Sequence, residues 1–178
     1  MRTLLPIPQR SRQSTTESVQ RGVAFNKVLA VVTGESSDEG VLAHAAGLVR
    51  PTKGRLHVLY VIEVDRSLPV DAEIGPAAAK GEDILRGTED IVRLPKNEFD
   101  AHMVQAREMG PAVVAEAVSR EVEALVIGTP FPGTLTGFSL GRDIPYILEN
   151  APCLVVLRRE APEGVQRRGG PSQNRRLI

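Results

Sequence analysis

Between Val126 and Cys153 the chain reads VIGTPFPGTLTGFSLGRDIPYILENAPC, a loop rich in glycine and hydroxyl groups that leads into a short helix. The chemistry of such a segment is anion binding: loop amides and a helix N-terminus together attract phosphate or carboxylate. Gly128, Thr129, Gly133, Thr134, Thr136, Gly137, Ser139 and Gly141 supply open backbone and hydroxyls. Arg142 stands at the helix start, where a cation opposes the helix dipole by ~0.3–1 kcal/mol. Two readings of it remain open. A bound anion offsets that cost, because a guanidinium beside a helix N-terminus is a good phosphate or carboxylate receptor. Alternatively, Arg142 pairs with Asp143 or another surface acid. Phe131 brings a ring into the loop, while Pro130 and Pro132 each remove an amide donor and stiffen it. No Gly-Lys-Ser/Thr follows, so this is not a P-loop.

Other chemistry is less favoured. His44, His57 and His102 show no metal-ligand spacing and are read as core or surface residues. Cys153 opens an apolar run and is read as an inert packing residue beginning a buried strand. Ser36 and Ser37 suit helix capping better than nucleophilic attack, with no neighbouring base and no Gly-x-Ser-x-Gly elbow. Glu63, Asp65, Asp71 and Glu73 read as a solvated acidic face rather than a magnesium site. None of these groups demands catalysis.

The chain that must position these residues has 178 of them, enough for one domain. Twenty-two Lys and Arg balance 22 Asp and Glu, and aromatics are 3% with no Trp, so nothing favours nucleic acid as a partner. No apolar run approaches the ~20 residues of a membrane helix. One Cys excludes an internal disulfide and fits a cytoplasmic setting. Residues 1–25 and the basic stretch 160–178 lack sustained periodicity and are expected to be disordered tails around a domain at 26–159.

Within that domain strand and helix patterns alternate. KVLAVV (27–32), RLHVLYVIEV (55–64), EFDAHMVQA (98–106), ALVIG (124–128) and CLVVL (153–157) are expected strands, the third near an edge. Between them, Val41, Leu42, Ala45, Ala46 and Val49 form one helical stripe, and Ile84, Leu85, Ile91 and Val92 another. GPAVVAEAVSREV, with Pro111 in its first turn, and DIPYILEN complete the set. Strict alternation predicts a parallel sheet with right-handed crossovers and helices on both faces. Ligands of such sheets bind beyond the carboxyl ends of the strands, which gathers 33–37, 63–75 and 128–142.

Three runs, KVLAVVTGESSDEGVLAHAAGL, GPAVVAEAVSREVEALVIGT and LGRDIPYILENAPCLVVL, resemble the universal stress protein family over about 27–159. NAPCLVVL is the most specific of them. The resemblance implies a five-stranded Rossmann-like sheet of the adenine-nucleotide alpha hydrolase-like type. It also implies a homodimer in which the last strands, Cys153–Leu157, pair. Nucleotide-binding members are similar in ending the first strand with an Asp and in carrying Gly-x-x-Gly, nine residues, then Gly-Ser or Gly-Thr. Here Thr33 takes the place of the Asp, Gly128 and Gly141 keep the outer glycines, Phe131 replaces the middle one, and Arg142 replaces the hydroxyl residue.

The expected function is therefore a non-catalytic, dimeric sensing or regulatory module. Its degenerate loop (Thr33, Gly128, Thr129, Gly133, Gly141, Arg142) would bind ATP, another adenine nucleotide or a different anion. The alternative is a ligand-free interaction protein regulating a partner. A similar ending in universal-stress-type domains fused to amino-acid permeases, which the resemblance suggests, makes a transporter one such partner.

Overall fold

In the computed structural model, residues 24–72, 74–129 and 139–159 are described. Strand and helix alternate throughout: β1 (Lys27–Val32), α1 (Asp38–Val49), β2 (Arg55–Glu63), α2 (Gly75–Val92), β3 (Phe99–Ala106), α3 (Met109–Ser119), β4 (Ala124–Thr129), α4 (Asp143–Asn150) and β5 (Leu154–Arg159). The five strands form one parallel sheet in the order β3-β2-β1-β4-β5. This is the Rossmann-like α/β fold predicted above.

Side-chain alternation along each strand divides the core in two. Val28, Ala30 and Val32 of β1 face the stripe Val41, Leu42, Ala45, Ala46 and Val49 of α1, with Leu85 and Val92 of α2 beside it. Leu29 and Val31, one residue out of phase, face Val113 and Ala117 of α3 and Ile144 and Ile147 of α4. Each fully buried side chain of this size contributes about 1.5–3 kcal/mol of hydrophobic stabilisation. The near-continuous apolar β1 is thus explained by helices on both sides. Helix α2 lies close to the sheet because Gly81 has no side chain; a Cβ there would lie 2.9 Å from the Tyr60 ring.

Three expectations are corrected. The last strand starts and ends later than 153–157, and it is an edge rather than a buried strand, because β4 is its only neighbour among the described residues. Cys153 precedes it, half-buried, and burial pushes its thiol pKa up, consistent with inert packing. Ser37 occupies the N-cap position of α1 but makes no side-chain capping bond. The local carboxylate is Asp38, which folds back onto the amides of Thr33 and Gly34 at 3.0 and 2.7 Å. The third strand lies at an edge, as expected. Phe25 also belongs to the folded part: its amide donates to Leu48 O at 2.9 Å and its ring packs on the α1–α2 core. The stretches 1–23 and 160–178 lie outside the described residues.

Candidate functional site

The strand order reverses between β1 and β4, and there the carboxyl ends of the two strands open a cleft of about 540 Å³. Thr33, just past β1, and Gly128 and Thr129, the end of β4, form its floor; Ser139, Gly141 and Arg142 form the far wall. Five of the six site residues expected from sequence therefore meet in one place. Gly133 lies outside the described residues, as do Pro130, Phe131 and Pro132.

The glycines have definite reasons. A Cβ on Gly128 would stand 2.8 Å from the Ser37 Oγ and 3.0 Å from a Val41 methyl, so β4 can pass this close to α1 only without a side chain. Gly141 adopts φ +68°, a left-handed conformation that glycine takes without strain, and this turns the chain into α4. Thr33 is half-committed: its amide donates to both Asp38 oxygens, at 3.2 and 3.0 Å. Burial pushes the Asp38 carboxyl above its ordinary range, and hydrogen bonds from Gly34 and Thr33 oppose that shift.

Arg142 resolves the two readings of its charge only in part. It does pair with acids, yet not with Asp143. Its guanidinium lies 3.8 Å from Glu63 Oε1 and 3.7 Å from Glu108 Oε1, and the side chain is 67% exposed. Both carboxylates have nearer partners. Glu63 accepts the Met109 amide at 3.0 Å, and Glu108 accepts Arg66 at 3.0 Å. Asp143 accepts the Gly110 amide at 2.9 Å, so carboxylates from β2 and α4 satisfy the first donors of α3. Arg107 ties the following connection down by donating to the carbonyls of Val64, Asp65 and Leu68.

Sequence reasoning missed the roles of Asp38, Glu63 and Glu108. Glu63 and Asp65 are exposed, as a solvated acidic face requires, and each also serves the backbone: Glu63 accepts the Met109 amide at the start of α3 and Asp65 accepts the Ser67 amide at 2.8 Å. The only hint in the sequence is that Glu63 closes β2 and Glu108 stands just past β3, two paired strands whose ends the topology brings together. Among the described residues, no group of three His, Cys, Asp or Glu side chains is placed to hold a metal ion. None of their helices is long and apolar enough to cross a membrane.

Fold and cleft define a Rossmann-like α/β domain with an open cleft at its switch point. The profile of the Universal stress protein family matches residues 24–159, most of the chain, and the protein belongs to that family. Solved structures agree on the fold. A universal stress protein in complex with cAMP superposes with a TM-score of 0.57 at 17% identity, covering 75% of this chain and 96% of that one. The Archaeoglobus fulgidus universal stress protein in complex with dAMP gives 0.57 at 18% identity, covering 76% and 98%. Universal stress protein UspA from Lactobacillus plantarum gives 0.56 at 19% identity, covering 76% and 99%. A comparison with curated proteins gives no significant match.

Proposed function

We propose that this protein is a non-catalytic sensing module of the cytoplasm that holds an adenine mononucleotide, or a ligand with similar anionic chemistry, in the β1–β4 cleft. Thr33, Gly128, Thr129, Gly133, Gly141 and Arg142 would contact it. The observation that carries this reading is the loose hold on Arg142. Its two ionic contacts are long, and each carboxylate keeps a nearer partner, so the guanidinium can turn onto a ligand anion without orphaning a charge. The cleft volume falls within the ~300–1,000 Å³ usual for small-molecule sites. The relatives crystallised with cAMP and dAMP point to the same ligand class.

Calorimetric titration with ATP, AMP and cAMP tests it. A monophosphate is expected to bind, and Arg142→Ala to weaken binding about tenfold or more through the lost charge-assisted hydrogen bond. Thermal stability should stay nearly unchanged, since the residue is exposed. An unchanged affinity in Arg142→Ala would overturn the anion-receptor role. A second reading, a ligand-free interaction protein docking a partner such as a transporter, is favoured by the protein's own carboxylates on the amides of Thr33, Met109 and Gly110. Absence of heat and of thermal shift with all three nucleotides would select it.

Under either reading we propose a homodimer through the last strand. Among the described residues β5 is a sheet edge, and Leu154 on it is 50% exposed, a surface suited to pairing with a second copy. Light scattering at micromolar concentration is expected to give twice the chain mass, and Leu154→Arg to halve it. A monomeric mass for the unaltered chain rules the dimer out.

A further inference from the structure

The apolar face that β2 and β3 present to α3 ends in charge. Leu59, Val61 and Val104 pack under the helix, but the next residues of the same phase toward the amino ends are His57, Asp100 and His102. Arg120, just past the end of α3, reaches down among them, with Glu116 one turn before it. Its Nη1 lies 2.9 Å from Asp100 Oδ2 and 3.1 Å from His57 Nδ1; its Nη2 lies 3.0 Å from His102 Nε2; its Nε lies 2.7 Å from Glu116 Oε2. Both of these ring nitrogens also face a carboxylate: His57 Nδ1 is 3.3 Å from Asp100 Oδ2, and His102 Nε2 is 3.1 Å from Glu116 Oε2; the other His102 nitrogen, Nδ1, is buried 3.8 Å from Asp100 Oδ2 with no hydrogen-bond partner among the described residues.

A guanidinium only donates and a carboxylate only accepts, so a ring nitrogen between the two can satisfy one of them at a time. When both rings are neutral and bare at these nitrogens, Arg120 donates to all four neighbours and no donor faces another donor. A proton on either nitrogen reverses the arrangement. The new N–H turns to Asp100 or Glu116, and the ring meets Arg120 as a like charge.

We infer that these five residues form a proton-operated clasp: with neutral imidazoles it pins the carboxyl end of α3 to the β2–β3 edge, and protonation of His57 replaces its bond from Arg120 with a like-charge contact and loosens that end. The surroundings reinforce the direction. Arg55 on β2 adds a further repulsion against a charged His57, while the β1 residue opposite His57 is the apolar Leu29. Burial, with the charges of Arg120 and Arg55, holds the His57 pKa below its ordinary value despite the hydrogen bond and charge of Asp100. Burial raises Asp100 and Glu116, but the Arg120 guanidinium, joined by hydrogen bonds from the rings only when those are protonated, holds both carboxyls below their ordinary range. The unfolded chain takes up a proton on His57 near pH ~6.5 that the fold resists, so stability falls as pH drops below that value.

The test is nuclear magnetic resonance of the full chain across pH 7.5 to 5. At the upper pH, ring nitrogen shifts are expected to show Nδ1 of His57 and Nε2 of His102 unprotonated. On acidification His57 charges, and amide protection of the last turn of α3 through Arg120, corrected for intrinsic exchange, falls about tenfold or more while α2 is unaffected. In a His57→Gln/His102→Gln protein, whose amides accept but cannot be charged in this range, protection of that stretch stays level. A proton on His57 Nδ1 at pH 7.5, level protection in the unaltered chain, or an equal loss in the double variant would each overturn the clasp. If the double variant fails to fold, the tautomers and the α3-against-α2 contrast of the unaltered chain decide alone.

Discussion

A Gly128→Val variant is expected to fold with about 1–3 kcal/mol less stability and to bind no nucleotide. The new Cβ would sit 2.8 Å from Ser37 Oγ and 3.0 Å from Ser37 Cβ and a Val41 methyl. Neither neighbour can yield cheaply. Ser37 is 2% exposed at the start of α1, and Val41 is buried on the stripe that holds α1 to the sheet. Relief must come from moving the amino end of α1 away from β4, and that end carries one side of the cleft. Denaturant unfolding measures the first effect and calorimetry the second. A variant that keeps wild-type affinity would show that the ligand does not use this floor.

The larger loss of stability is expected for Leu125→Ala, about 2–5 kcal/mol. Leu125 is 0% exposed in β4, between β1 and β5, and points into the cluster beneath α3 and α4. Its neighbours Leu29, Val113 and Ile147 are held by three different elements, so the cavity cannot collapse around any single movement. Chemical denaturation should show a lower midpoint with an unchanged slope, the signature of altered stability without altered compactness. A loss below about 1 kcal/mol would mean that the two helices settle into the void more freely than close packing allows.

The elements most legible in the sequence were those whose signal is periodic and local. The α1 stripe, the apolar β1 and the short α4 follow from residues a few positions apart, and the structure buries the stripe where the spacing put it. The floor of the cleft was legible too, because the rule about switch points converts strand order into a location, bringing Thr33 to Gly128 and Thr129. What escaped was long-range pairing. Glu63 meets Met109, Asp143 meets Gly110, and Arg142 meets Glu108 across separations that periodicity does not register. His57 and His102 carried no shared spacing, yet equal phase on two paired strands put them on one face. The last strand was misread as buried because CLVVL is apolar on both sides, a composition that suits a covered strand and an outer one awaiting a partner equally well.

The strand order also sets a timetable. β1, made before the other four strands of the sheet, ends at its centre, flanked by β2 on one side and β4 on the other. The pairing with β2 closes early, across α1 alone. The pairing with β4 waits until Ala124 has been made and the chain has crossed back over the sheet. Contacts this distant in sequence carry the entropy of a long closed loop and slow the folding step that forms them. The β1–β4 cleft is therefore completed late in synthesis: until β4 has been made, β1 lacks its second neighbour and the cleft lacks the floor that Gly128 and Thr129 supply.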